Sequence, residues 1–380
     1  MKKKLFFLAV AGLALASCSN DETVAVNNGD AISFRANMAG TTRATATTLA
    51  NFTTTQGFYV GAWKNDDHNS YFADTEFKKD GETSNYRSDT KYYWPASGNL
   101  DFVGFYPNKD NTNGPLKHLT WDTFTFEPSA TVASHTDYVI AATLNQSKAG
   151  SASGVPLAFK HLGSWIELKV YNSRGNASGN LKATVTGWKV GYLYNGGVYT
   201  ITASTADGSA LSSTGSWSYA DYVQADATTH VPTAYSETTS TISLLNDEAH
   251  DENTDAEKVA VGNAMIIVPQ TTAKINGSST YGTDGYLTGA FIGVKLSITD
   301  GSDHVLADAT GDNMWAIWPI SNDWADGYKY TYIIDVSQGG YKEKDTAGQT
   351  LKPWLEGSEI FFSSITVTDW ATGSATVVTP

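Results

Sequence analysis

Ala31-Ile-Ser-Phe-Arg-Ala-Asn-Met38, followed by Gly40-Thr-Thr-Arg43-Ala44, is the stretch that decides the fold. Ile32, Phe34, Ala36 and Met38 fall on one face and Ser33, Arg35 and Asn37 on the other, the period-two pattern of a half-buried strand. After Gly40, Thr41 to Thr48 breaks the pattern with Thr, Ala and one Arg. Arg35 lies inside the strand, where its backbone is expected to be paired. Arg43 lies in a small, polar segment that a protease can extend. The expectation is a removable first strand with a cut between Arg43 and Ala44, and a β-rich body that the strand closes.

Upstream of this stretch the chain carries an address. Lys2, Lys3 and Lys4 precede an apolar run from Leu5 to Leu15, too short to span a bilayer as a helix. The run ends in Leu15-Ala-Ser-Cys18, small residues before a cysteine, as a peptidase cutting ahead of a lipid-modified thiol requires. Residues 1–17 read as a signal peptide, Cys18 as the lipidation site, and 18–43 as a pro-segment. Several acyl chains on one residue suffice for stable anchoring in a membrane, here the outer membrane.

Without residues 1–17 the chain loses three of its 25 basic residues, leaving 22 against 39 acidic ones and a net charge of −17. Such a chain is a poor partner for nucleic acid or an anionic surface. Cys18 is the only cysteine, so an intrachain disulfide is excluded and stability must come from packing. Thr and Ser are abundant, alongside 34 Gly, 20 Tyr, 15 Phe and 11 Trp, a β-sandwich composition; no stretch beyond the signal sustains a helical apolar period.

Strands are expected at Phe58–Trp63, Leu100–Tyr106, Trp121–Phe126 and Tyr138–Ala142, among others, and again from Leu157–His161 and Trp165–Val170 through to Ile360–Thr368. The polar, small stretch 145–154 between the two sets reads as a linker. This gives an N-terminal β-sandwich over 44–150 and a C-terminal one over 151–380 that ends in a tail.

Ile32-Ser-Phe with Thr42-Arg-Ala44, Phe58-Tyr-Val-Gly-Ala-Trp63, Tyr92-Tyr-Trp-Pro95, Leu100-Asp-Phe-Val-Gly-Phe-Tyr-Pro107, Leu157-Ala-Phe-Lys-His161, Trp324-Ala-Asp-Gly-Tyr-Lys-Tyr-Thr-Tyr332 and Ile365-Thr-Val-Thr-Asp-Trp370 occur in this order. Together they resemble the fimbrillin-like proteins of type V pili. Ser19-Asn-Asp-Glu22 is similar to the acidic tag of surface-exported lipoproteins of Bacteroidales. The resemblance implies two tandem transthyretin-like β-sandwich domains and export as a lipoprotein. It also implies cleavage by an arginine-specific protease and polymerisation by strand exchange with other subunits into an adhesive surface fimbria.

Candidate chemistry is sparse. Asp247-Glu-Ala-His250 spells a helicase box, but no GxxxxGK[ST] loop accompanies it. Asp251, Asn253 and Asp255 have calcium-loop spacing, yet Ala256 stands where the sharp turn wants Gly, and the 247–257 insertion reads more simply as a solvated acidic loop. His161, on an alternating strand, reads as a satisfied, half-buried histidine. No nucleophile elbow or metal motif is present, so no catalytic residue and no cofactor is assigned. The tryptophans sit in or beside strands and read as core, with one or two available to stack on sugar rings.

A strand displaced from the body must be replaced. The tail beyond Trp370 runs Ala-Thr-Gly-Ser-Ala-Thr-Val-Val-Thr-Pro380, about 33 Å when extended. With Gly373 as hinge, Ala375, Val377 and Val378 are the candidate donor residues, Ala375 and Val377 facing into a neighbour's groove and Thr376 out. The rival expectation is a lipoprotein that stays on the surface through Cys18 and binds a host glycan or protein; a secreted hydrolase is a third. Both a stalk and a tip subunit fit these residues.

Overall fold

The computed structural model describes residues 26–38, 47–81, 83–107, 115–174, 180–204, 213–219, 234–244, 258–270, 280–287, 289–311, 314–321, 323–369 and 375–378. Among them the chain is nearly all β, and its helical turns are short 3-10 segments.

Seven strands close into a barrel in the order Val139–Gln146, Val155–His161, Phe34–Met38, Tyr86–Arg87, Ser70–Lys79, Phe58–Lys64 and Leu100–Tyr106. Alternation explains most of it. In Val155–His161 the residues Val155, Leu157 and Phe159 are buried and those between are half-buried. Leu100–Tyr106 is buried on both faces. Phe102 points into the barrel, while Val103 and Phe105 join a second cluster with Phe124, Phe126 and Tyr199. That cluster lies beneath a four-stranded sheet in which Gly197–Ser204 pairs with Thr123–Phe126.

Two six-stranded sheets and one two-stranded sheet hold the other described strands. In one six-stranded sheet, Ser164–Tyr171 pairs in parallel with Tyr328–Asp335, which pairs with Ser364–Asp369. In the other, Lys182–Gly191 lies between Ala234–Leu244 and Phe291–Thr299. Ile166, Leu168, Tyr332 and Ile334 of the first sheet share one core with Val185, Trp188, Val294 and Leu296 of the second. Two sheets enclosing a common apolar layer make a β-sandwich.

Residues 145–154, expected as a linker, join two neighbouring antiparallel strands of the barrel. Their polar, small composition serves a tight connection: Asn145 has φ +59°, Ala149–Ser151 is a 3-10 turn, and Gly154 has φ +98°. Strands from both sides of residue 150 therefore share sheets. A strand at Val26–Ala31, ahead of the expected one, pairs with Tyr93–Pro95.

Candidate functional site

The first strand occupies a lane inside the barrel. On one side Phe34–Met38 runs parallel to Val155–His161 over five residue pairs, from Phe34 opposite Val155 to Met38 opposite Phe159. On the other side it meets Tyr86–Arg87 at one pair, Phe34 opposite Tyr86. The Ile32 N–H donates to the Tyr92 carbonyl at 2.7 Å, and the Val155 N–H to the Ser33 carbonyl at 2.8 Å. A parallel ladder is slightly weaker per residue than an antiparallel one, so the backbone holds this strand modestly.

Side chains hold it more firmly. Ile32, Phe34 and Met38 are buried and Ala36 is half-buried against the same cluster. The Phe34 ring, wholly buried, meets Phe77 at 4.6 Å, Phe102 at 5.2 Å and Phe58 at 6.4 Å, each edge to face. Burying Ile32, Phe34 and Met38 contributes roughly 1.5–3 kcal/mol each, on the order of 5–8 kcal/mol together. Burial raises the pKa of the Tyr86 phenol beside the lane.

Arg35 points outward, its Nε donating to the Gly154 carbonyl at 3.2 Å. Gly154 takes a positive φ where the next strand starts, and a Cβ there would sit 3.2 Å from Asn85 Oδ1 and 3.3 Å from Arg35 Cγ on the first strand. The glycine thus fits the close approach of the first strand as well as the turn.

The tail lies elsewhere. Ala375–Val378 is the edge strand of the sandwich, antiparallel to Ser364–Asp369 over four pairs, from Ala375 opposite Thr368 to Val378 opposite Ile365. Val377 is 63% exposed and Thr376 is exposed as well, so neither of these side chains is buried against the sandwich and one of them is apolar. Cys18, Arg43, Ala44 and the acidic insertion 247–257 lie outside the described residues.

A family model described as fimbrillin-like matches residues 42–370. The chain belongs to the fimbrillin-like family. Family membership makes it a fimbrial structural protein of the cell surface, associating with other fimbrial subunits. The match begins next to Arg43 and ends before the tail, so the first strand and Ala375–Val378 both lie outside it. No curated protein matches this fimbrillin-like chain. Similar solved structures include a fimbrial protein from Bacteroides vulgatus, at 15% identity and TM-score 0.44, covering 79% of this chain and 93% of that one. A fimbrial assembly protein from Parabacteroides distasonis, at 13% identity and TM-score 0.38, covers 92% of this chain and 100% of the other. The fimbrial anchor protein Mfa2 from Porphyromonas gingivalis is more remote, at 8% identity and TM-score 0.29, with 90% and 97% covered. All three score below 0.5, and the family assignment rests on the sequence match.

Sequence reasoning foresaw the buried face of the first strand but missed what the neighbouring histidine does. His161 is fully buried rather than half-buried, and its Nδ1 donates to Asp137 at 2.9 Å. Asp137 in turn accepts the Thr47 N–H at 2.8 Å. Among the tryptophans, Trp94, Trp188, Trp318 and Trp324 are buried, and Trp63, Trp121, Trp165 and Trp315 are half-buried.

Proposed function

We propose that this protein is a fimbrial subunit that polymerises by strand exchange. The precursor travels as a lipoprotein anchored to the outer membrane through Cys18. An arginine-specific protease then cuts between Arg43 and Ala44. The cut alone does not eject Phe34–Met38, whose buried side chains still hold it; it removes the tether, and a strand from another subunit displaces it. The incoming strand is a neighbour's tail, Ala375–Val378, with Ala375 and Val377 entering the lane. One strand given and one accepted per subunit is a head-to-tail contact that does not close, which makes a filament.

The observation that carries this reading is the contrast in how the two ends are held. The first strand fills a lane in a closed barrel against a parallel ladder and a single bridge. The tail is an edge strand with Val377 exposed, attached through one side of its backbone. A strand entering antiparallel to Val155–His161 would exchange a slanted ladder for a stronger one.

The test is ladder formation on unboiled gels by purified subunits clipped with an arginine-specific protease. Clipped wild-type protein is expected to form ladders and Arg43→Ala to remain monomeric. Protein from native cells is expected to begin at Ala44. A lipidated N-terminus at Cys18 on mature surface protein would replace this reading with the surface-anchored binder of a host glycan or protein.

A further inference from the structure

Thr47 is the first described residue after Met38, four positions past Arg43, and it is locked in place. It is buried at 6% exposure. Its N–H donates to Asp137 Oδ2 at 2.8 Å and its hydroxyl to the Asp137 carbonyl at 2.9 Å. Asp137 is itself buried, and its two carboxylate oxygens lie 3.0 and 2.9 Å from His161 Nδ1. His161 ends the strand Val155–His161, and two residues earlier on that strand Phe159 pairs with Met38. One strand of the barrel therefore holds the chain on both sides of residues 39–46: Met38 through the ladder, Thr47 through Asp137 and His161.

The segment that follows is held as well. Thr48 caps the 3-10 turn Leu49–Asn51, its N–H donating to Asn51 Oδ1 at 2.7 Å. Phe52 is buried, with its ring 5.1 Å from Phe58, 5.1 Å from Phe159 and 5.3 Å from Tyr106. Phe52 thus forms part of the floor of the first strand's lane, beside Phe159 opposite Met38 and with its ring 6.2 Å from that of Tyr86 opposite Phe34.

We infer that Thr47, Asp137 and His161 form a retention clasp, three positioning residues that keep the downstream side of the cut on the body while the upstream strand leaves. The inference rests on the proposed cut after Arg43. Before the cut, Met38 and Thr47 share a covalent path, and either anchor restrains the other. After it, each side keeps only its own contacts. A buried carboxylate already oriented by an imidazole is a strong acceptor for a backbone N–H, and releasing Thr47 takes that donor from a desolvated charge that then keeps only His161. With the clasp closed, Phe52 stays in position and an incoming strand meets a lane with its floor in place. With it open, residues 44–52 peel away and the lane loses its floor beside Phe159.

The experiment uses the full chain without its signal peptide, nicked at Arg43 by an arginine-specific protease and compared with uncut protein. Hydrogen exchange is read at the amides of residues 47–52, and thermolysin cleavage is followed at Leu49 and Phe52. Nicked wild-type protein is expected to keep these amides protected and to resist thermolysin there. Nicked Thr47→Val and Asp137→Asn are expected to exchange about tenfold faster over residues 47–52, with a much smaller change in the uncut variants. A purely structural role would speed exchange equally in uncut and nicked protein, which would overturn the clasp. So would nicked wild-type protein that frees residues 44–52 as readily as the variants do. Thr47→Val removes one hydrogen bond at constant shape and keeps the test valid if Asp137→Asn does not fold. Because the nick is made in vitro, a native N-terminus other than Ala44 would defeat the proposed processing without touching this result.

Discussion

Phe34–Met38 near the start of the chain and Ala375–Val378 near its end are both short strands, yet they are held in opposite ways. Phe34–Met38 lies between two other strands and buries its apolar face in the barrel; Ala375–Val378 has one partner strand and leaves Val377 in water. The difference teaches that buried side chains hold Phe34–Met38, whereas Thr376 and Val377 in the tail contribute none. A strand held by side chains leaves only when a competitor fills the same core. A strand held at an edge is available to another sheet, the usual hazard of an unpaired edge turned to use.

Breaking the comparison starts with Phe34→Ala. Removing a ring packed among Phe58, Phe77 and Phe102 is expected to destabilise the uncut chain by about 3–5 kcal/mol in chemical denaturation. A loss below about 1 kcal/mol would mean that the ring is not what holds the strand. Gly154→Ala comes next. A Cβ at φ +98°, against Asn85 Oδ1 and Arg35 Cγ, is expected to cost about 1–3 kcal/mol and to speed hydrogen exchange in Phe34–Met38 more than in the sandwich strands.

Much of this was legible in the sequence. The alternation of Ile32, Phe34, Ala36 and Met38 marks the buried face of the first strand, because one-sided burial imposes a period of two. What the strand pairs with was not legible. Its main partner, Val155–His161, lies more than a hundred residues away in parallel register, and no local pattern encodes a parallel pairing. The 145–154 stretch reads the same whether it links domains or turns a hairpin, since both uses favour Ser, Gly and Asn. Val26–Ala31 hid because Asn27, Asn28, Gly29 and Asp30 are poor strand formers, and pairing with Tyr93–Pro95 overrides that preference. The clasp hid because Thr47, Asp137 and His161 meet only once the barrel has closed.

Smaller effects sharpen the comparison at the tail. Deleting residues 371–380 removes one exposed edge strand and is expected to lower monomer stability by about 1 kcal/mol or less. The same deletion is expected to abolish donation to a neighbour, leaving subunits that still accept a strand and cap a ladder. Val377→Asp is expected to change monomer stability by less than about 0.5 kcal/mol, because the side chain is already in water. In assembly it is expected to act like the deletion, since a carboxylate entering an apolar lane must be desolvated. Thr376→Ala is expected to be nearly silent in both assays. Ladders that form equally with and without the tail would make this a subunit that accepts a strand but does not give one.

The central claim is that one strand replaces another in the same lane, and hydrogen exchange at Val155–His161 tests it most directly. Three samples are compared: the uncut chain, the clipped chain stripped of residues up to 43 under mild denaturant and returned to buffer, and the purified polymer. The account predicts that the amides of Val155–His161 facing Phe34–Met38 are protected in the uncut chain, exposed once the first strand is stripped, and protected again in a polymer that lacks Phe34–Met38. A polymer that still carries Phe34–Met38 in its lane, or one in which those amides stay exposed, would contradict it.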